Sequence, residues 1–462
     1  METIVTEILE IIKGAKDSIS REEQIRSYFE KLACRAVSEA LERIDKELAA
    51  QYADKGWHVE RLDSRTVQAS YGSIQIRRRR MKKKGKDGLY PLDKELGIRP
   101  YRRYTAYMEY VIAQIAAKTV YRVTAAAVNL LTPITMSHQQ VSRVVKQAGE
   151  TYIAWESLQE TCDPMEKTEL RCPEVLYIEG DGLMLHGQKK KQKELHRFQI
   201  AEGVQENGSR RELVGTRYVA DFSHEKAKDS LLHYLGCHYD LSNTVVLSNS
   251  DGGAGYSCAV FEEILGKVGR HEHFRDWYHV QRKCKERLPW ANRELRKKLN
   301  RALKKHDREN LMLVLDTLES MAKDEHQTEQ VQLLRGYLER NWTYLASLEQ
   351  RGLGEYSKLL GTCESNHRLY SYRMKKQGRR WSQDGGEAMV KIITGLKNGD
   401  LREAMAAKAE LFNPKPGRDF RGAVRRALKK SKGSAHEGVR HGKITVSAPM
   451  SSAIGQLSKC FA

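Results

Sequence analysis

The stretch Val175-Leu176-Tyr177-Ile178-Glu179-Gly180-Asp181-Gly182 constrains this chain more than any other. Four aliphatic or aromatic residues, which favour a pleated and buried strand, run directly into carboxylates bracketed by glycines. The pattern predicts a strand over 175–178 that ends by presenting an acid to a site. It recurs at Thr244-Val245-Val246-Leu247-Ser248-Asn249-Ser250-Asp251-Gly252-Gly253. A third acid, Glu364 in Thr362-Cys363-Glu364-Ser365-Asn366-His367-Arg368, opens a basic helical segment. Carboxylates drawn together repel, and a divalent cation with oxygen ligands is the simplest reason to converge them. Glu179 shares a strand face with Asp181 and is its rival as first ligand, although Asp181 stands nearer the strand end and its glycines.

Around these acids the chain reads as strands over 175–178, 197–204 and 213–221, a helix over 225–234, the strand leading to Asp251, and a helix over 256–268. Three strands, a helix and a further strand, with acids after the first and fourth, is the order of a ribonuclease-H-like α/β fold. In His273-Phe274-Arg275-Asp276-Trp277-Tyr278-His279, Asp276 and His279 share a helix face if the helix begins by Asp276. A lone histidine is more often structural, but the aromatic flanks and a preceding strand-like segment make His279 a candidate beside the acids. Residues 283–350 are charged, helical and free of strand signals, as an all-helical insertion would be. After Glu364, Arg368, Arg373, Lys375 and Lys376 interleave with aromatics, a nucleic-acid pattern. A helix over 386–396 ends this part, and 413–446 reads as a mobile basic tail.

Upstream, residues 3–53 carry helical periodicity (Ile4, Ile8, Ile11, Ile12, then Ile25, Phe29, Leu32, Ala36), suited to packing on their own domain or on a second subunit. Residues 67–76 alternate as a strand pair around Gly72 and run into Arg77, Arg78, Arg79, Arg80, Lys82, Lys83 and Lys84. So dense a run resists desolvation, so it is expected on a surface, with contact to DNA phosphates the preferred reading and a solvated loop the alternative. Residues 105–150 read as helices with a break at 132–136. Ser137 is the expected N-cap, with Gln140 completing a capping box. The helix over 138–149 offers Gln139, Gln140 and Arg143, the arrangement of a helix-turn-helix, though many helical hairpins never touch DNA. Residues 150–170, ending in a run with Asp163-Pro164, read as a linker.

Lys and Arg number 80 against 60 Asp and Glu, a formal charge of +20 that points to a polyanionic partner. The eight cysteines include no C-x-x-C pair, which argues against a zinc ribbon and fits reduced thiols. The acidic start Met1-Glu2-Thr3 is unlike a signal peptide, and no apolar run approaches the roughly 18 residues needed to span a bilayer. A cytoplasmic protein is expected.

Tyr177-Ile178-Glu179-Gly180-Asp181-Gly182, Ser250-Asp251-Gly252, Asp276-Trp277-Tyr278-His279 and Glu364-Ser365-Asn366, in that order, resemble the ISLre-type insertion-sequence transposases of bacteria, which belong with the Mutator-like DDE transposases. The likeness runs from about residue 70 to 396. It implies that Asp181, Asp251 and Glu364 are the catalytic triad and hold two Mg2+ (or Mn2+) ions, with Asp276 and His279 as the Asp-x-x-His element. It implies an enzyme that nicks element ends and joins them to target DNA. The implied setting is the bacterial nucleoid, with the element's terminal inverted repeats and target DNA as double-stranded partners, and a homo-oligomer. The expected organisation is N-terminal helices over 1–60, a DNA-binding region over 61–160, a catalytic domain over 171–284 and 355–400, its insertion over 285–354, and a basic tail over 401–462. Two other readings compete: a nuclease or resolvase on the same fold without strand transfer, and a non-catalytic helix-turn-helix protein.

Overall fold

The computed structural model describes residues 2–159, 170–188, 192–208, 210–356 and 362–407. It opens with α1 (Glu2–Gly14) and the 37-residue α2 (Ser18–Asp54), started by a capping box between Asp17 and Ser20. α1 buries none of its residues, and Val5, Leu9 and Ile12 stay exposed. β1 (His58–Ala69) then turns through Ser70 and Tyr71 into β2 (Gly72–Lys83). Gly72 has φ +134°, in the region that favours glycine. β3 (Lys86–Leu89) pairs with β2, and α3 (Pro91–Leu96) starts on a proline that needs no N–H bond there. Val67, Ala69, Ile74 and Ile76 pack against Leu41, Ile44 and Leu48 of α2.

The basic run, expected to lie solvated or on phosphates, is instead the second half of β2 and is partly neutralised from within. Asp45 of α2, 1% exposed, accepts from the Arg79 backbone N–H at 3.0 Å and from its Nη1 at 2.5 Å. Arg78 pairs with Asp93 and stacks 4.1 Å from the centre of the Tyr90 ring, and Arg80 pairs with Glu60. Lys83 Nζ donates to the Lys55 carbonyl at 2.7 Å. Strand alternation cannot keep every side chain of such a run on the solvent side, and the inward ones meet carboxylates. Arg77, Lys82 and Lys84 remain exposed.

Three helices follow: α4 (Ala106–Lys118), α5 (Tyr121–Leu131) and α6 (His138–Gln159). The Ser137 N–H donates to Gln140 Oε1 at 2.7 Å and the Gln140 N–H to Ser137 Oγ at 3.3 Å, so the capping box is present. α6 does not stop at Gly149. Thr151, Tyr152 and Trp155 are buried, and the expected linker is helix as far as Gln159. Residues 160–169, with Asp163-Pro164, lie outside the described residues.

Next come β4 (Val175–His186), β5 (Gln192–Ala201), the ribbon β6 (Gly203–Asn207) and β7 (Arg210–Val214), β8 (Arg217–Asp221), α7 (His224–His238), β9 (Val245–Ser250), α8 (Cys258–Leu265) and β10 (Arg270–Arg275). The five-stranded sheet has the order β10-β9-β4-β5-β8, with β4, β9 and β10 parallel and β5 antiparallel to both its neighbours. The first strand is longer than expected. β4 has 12 residues because β5 pairs along it from Tyr177 to His186, well beyond its partner β9. Asp181 therefore lies mid-strand, a correction to its expected place at a strand end.

After β10 the chain is helical: α9 (Trp277–Arg287), α10 (Arg293–Lys305), α11 (Arg308–Ser320) and α12 (Glu325–Asn341) build a core around Leu299, Leu303, Leu315, Leu334 and Leu338. Then come α13 (Thr362–Met374), α14 (Gln383–Asn398) and α15 (Leu401–Ala406). One sheet face buries Leu176, Ile178, Phe198 and Ile200 with Leu231 and Phe261 of α7 and α8. On the other, Leu183, Leu185 and Leu195 share a core with Ile112, Val144 and Ala148 of α4 and α6 and with Met389 of α14. The expected boundary between 61–160 and 171–284 is thus not a packing boundary. Nor is all of 401–462 tail, since Leu401, Ala404 and Met405 of α15 join that core, while 408–462 lie outside the described residues. Among the described residues no helix is long and apolar enough to cross a membrane.

α6 and α14 touch through glycine. A Cβ on Gly149 would sit 2.4 Å from the Cα of Ala388, and one on Gly395 would sit 2.5 Å from the Tyr152 ring. Gly149→Val should destabilise the protein by roughly 1–3 kcal/mol through overpacking. A lowered thermal midpoint is the expected reading, and an unchanged one would mean that this crossing opens freely.

Candidate active site

Register builds the site. Gly180 of β4 pairs with Ser250 of β9, and Ser250 pairs with Arg275 of β10. The next residue of each chain segment is an aspartate, Asp181 within β4 and Asp251 and Asp276 just past the ends of β9 and β10, so the three form one row across the sheet. The Asp276 N–H donates to the Ser250 carbonyl at 2.8 Å, which carries the ladder to its last rung. Neighbouring strands lie about 4.8 Å apart, and the charges of all three aspartates act on His279. Glu179 lies on the Asp181 face of β4, one rung back opposite Asn249, and is 2% exposed against 6% for Asp181. Tyr177 lies beyond it in one apolar cluster and Leu183 and Leu185 in another, so the two carboxylates occupy a polar seam between cores.

The antiparallel neighbour lines the same seam. Arg197 is paired in register with Asp181, Gln199 is paired with Glu179, and both are buried. α13 crosses above them: the Asn366 side chain donates to Gln199 Oε1 at 2.7 Å, and Arg197 Nη1 donates to the Asn366 carbonyl at 3.4 Å. Glu364 lies in the first turn of this helix, two residues before Asn366; its side chain lies outside the described residues. The sheet thus brings Asp181 and Asp251 together, and the backbone of Glu364 belongs to the helix that crosses β4 and β5.

Asp276 is the N-cap of α9, accepting from the Tyr278 N–H at 2.8 Å, and this directs the first turn so that His279 faces the row. Nδ1 of His279 is 3.6 Å from Asp276 Oδ2, an ion-pair separation longer than a hydrogen bond. Asp276 foremost, with the fields of Asp181 and Asp251 added, raises the imidazole pKa above its ordinary value against the effect of burial. Burial pushes the Asp276 carboxyl up, but His279 and the Tyr278 N–H outweigh it and hold the group below its usual range. Gly252, at φ +81°, lets the chain leave β9 beside Arg275, whose guanidinium a Cβ there would overlap. A cavity of about 370 Å³ opens beside Asp276, bordered by Arg275, Tyr278 and Tyr344.

Among the described residues, the one group of three potential ligands whose donor atoms all lie within 4.8 Å of one another is Cys258, Glu262 and His271, not the aspartate row. His271 Nε2 is 2.7 Å from Ser248 Oγ, and alternation puts Ser248 on the face opposite Asn249 and Asp251.

The residues expected to meet DNA are scattered. Gln139 and Arg143 are exposed on α6, while the Gln140 oxygen is committed to the capping box. Arg368, Lys375 and Lys376 are exposed, but Arg373 is buried. Sequence reasoning missed Arg197, Gln199 and Asn366. Period-two alternation could have placed Gln199 and Arg197 on one face, but only the strand pairing sets them opposite Glu179 and Asp181.

Comparison with known proteins gives one family along most of the chain. Residues 19–410 match the family model described as "Uncharacterised protein family (UPF0236)". The chain is similar to the "UPF0236 protein in vanSb 3'region" of Streptococcus gallolyticus, 35% identical over 463 residues that cover 99% of each chain. This chain therefore belongs to the UPF0236 family.

Proposed function

We propose that the protein is a DDE-type DNA transposase on a ribonuclease-H-like fold, and the in-register row of Asp181, Asp251 and Asp276 with His279 beside it carries that reading. The strand order, with its single internal antiparallel strand and a helical segment between β10 and α13, supports it. The oxygen-only set of Asp181, Asp251 and Glu364 fits Mg2+ or Mn2+, and these residues would hold two ions. When bound, such ions supply activation of the attacking oxygen and stabilisation of the leaving one.

The chain's own residues do the rest. Asp276 orients His279, which holds a proton on Nδ1 and leaves Nε2 for the scissile phosphate. Water attacks phosphorus and the 3′-oxygen leaves with a proton, giving a nick with a free 3′-hydroxyl. That hydroxyl then attacks a target phosphodiester and displaces its 3′-oxygen, so one phosphodiester is exchanged for another and no energy source is needed. Exposed Gln139 and Arg143 of α6 would read element ends, and Arg77, Lys82, Lys84, Arg368, Lys375 and Lys376 would hold phosphates. The exposed apolar face of α1 suits a second copy of the chain. The work would be done in the bacterial cytoplasm, at the nucleoid.

Nicking of supercoiled plasmid with Mg2+ or Mn2+, stopped by chelation, is the first test. His279→Ala should lower the single-turnover nicking rate by about 10²–10⁴-fold with little change in thermal midpoint. A variant that is unstable yet fully active per folded molecule would make His279 structural.

A further inference from the structure

A cavity of about 470 Å³, away from the aspartate row, lies between α5–α6 and the segment joining α13 to α14. Arg122, Lys146, Arg373, Arg379 and Arg380 line it, and among the described residues no carboxylate does. Asp384 reaches Lys146 only from outside, at 3.9 Å, and is itself 77% exposed. Arg373 is 2% exposed, its guanidinium held 5.3 Å from the centre of the Tyr121 ring and 5.0 Å from that of Trp381. Its Nε donates to the Ala116 carbonyl at 2.7 Å, but its Nη1 has no hydrogen-bond partner among the described residues. Burial and the neighbouring Arg379 both disfavour its charge. A buried guanidinium with an unsatisfied N–H, crowded by a second cation, is stabilised by an anion beside it.

The backbone points the same way. His138, Ser142 and Lys146, spaced by four on one face of the 22-residue α6, line one side of the cavity from that helix's amino end. Ser382 and Gly385, at the amino end of the 16-residue α14, line the other. Helix amino ends carry positive partial charge and favour phosphate. Arginine forks match phosphate oxygens in pairs.

We propose that this cavity binds a phosphodiester group of the DNA lying along α6, an inference that rests on the DNA reading above. The contact clamps the backbone beside the exposed Gln139 and Arg143, and it needs no metal.

The test uses full-length protein in chelator, a DNA duplex and, separately, inorganic phosphate as probes. R379Q/R380Q changes two exposed residues and should leave the fold intact; K297Q/K298Q in the helical insertion removes equal charge elsewhere. R379Q/R380Q should weaken duplex binding by about tenfold or more and flatten its salt dependence by one to two phosphate contacts, roughly 0.9 per contact in the log–log slope. The control should change affinity less than about threefold. Arg373→Lys, which keeps charge but loses the fork and the bond to the Ala116 carbonyl, should also weaken binding, with a lowered thermal midpoint, so its affinity is compared per folded molecule. Equal losses in the control and pocket variants, or none in the pocket variants, overturn the proposal. Phosphate binding lost in R379Q/R380Q with duplex binding intact would assign the cavity to free phosphate and overturn the DNA source. Should wild-type protein bind no duplex at all, the DNA reading fails; phosphate binding that depends on Arg379 and Arg380 would then leave an anion site alone.

Discussion

Asp181→Asn, Asp251→Asn and Glu364→Gln should each reduce DNA cleavage by about 10³-fold or more. Each removes a ligand charge and almost no volume, and metal stabilisation of an in-line displacement is worth several kcal/mol. At about 1.4 kcal/mol per tenfold, a loss of about 4 kcal/mol gives that factor. Duplex affinity should stay near wild type, because phosphate contacts lie on other residues. The variants also have a readout apart from catalysis. Mg2+ or Mn2+ at about 100 times its dissociation constant should stabilise the wild-type fold by roughly 2.7 kcal/mol, and the Asp181→Asn fold much less. Asp276→Asn separates two roles. It keeps an N-cap for α9 and takes the charge from His279, so it should resemble His279→Ala rather than Asp181→Asn. Full cleavage by Asp181→Asn would remove that residue from the site.

Arg79→Ala should destabilise the protein by about 1–3 kcal/mol, the usual cost of removing one partner of a buried polar group. Asp45 is 1% exposed and takes both a backbone and a side-chain donor from Arg79, so the substitution leaves one carboxylate oxygen between α2 and β2 without its cationic partner and the other on the backbone N–H. The neighbouring Arg77→Ala, at an exposed position, should leave the thermal midpoint unchanged and weaken duplex binding slightly, with a smaller salt slope. Were the run a uniform phosphate tract, the two substitutions would behave alike. A lowered midpoint with Arg79→Ala and an unchanged one with Arg77→Ala separates the two accounts.

How far the sequence could be read depended on how local each signal was. The capping box at Ser137 and Gln140, the turn at Gly72 and the strand ending at Ser250 are set by residues within a few positions of one another, and each is present. The acids at 181, 251 and 276 were visible as types. Their row was not, because it depends on which strands pair and in what register. The length of β4 was misread because its glycines suggested an end, whereas pairing with β5 carries the strand through them. α6 was cut at Gly149 for a related reason. A glycine in a helix reads as a stop until the chain that passes it, here Ala388 of α14, shows why no side chain fits. Arg373 misled most. In a basic segment with aromatics it read as surface, yet Tyr121 and Trp381 enclose it from segments far away in sequence.

The central claim, strand transfer at the aspartate row, is tested most directly by sequencing DNA junctions. Purified protein would be incubated with Mg2+, a plasmid carrying its own gene with flanking DNA, and a separate target plasmid. The account predicts new covalent junctions between the same two element ends and many target positions, present with wild-type protein and absent with Asp181→Asn. Nicked or linear plasmid without junctions would contradict strand transfer and leave a nuclease, and junctions formed equally by Asp181→Asn would contradict the site itself.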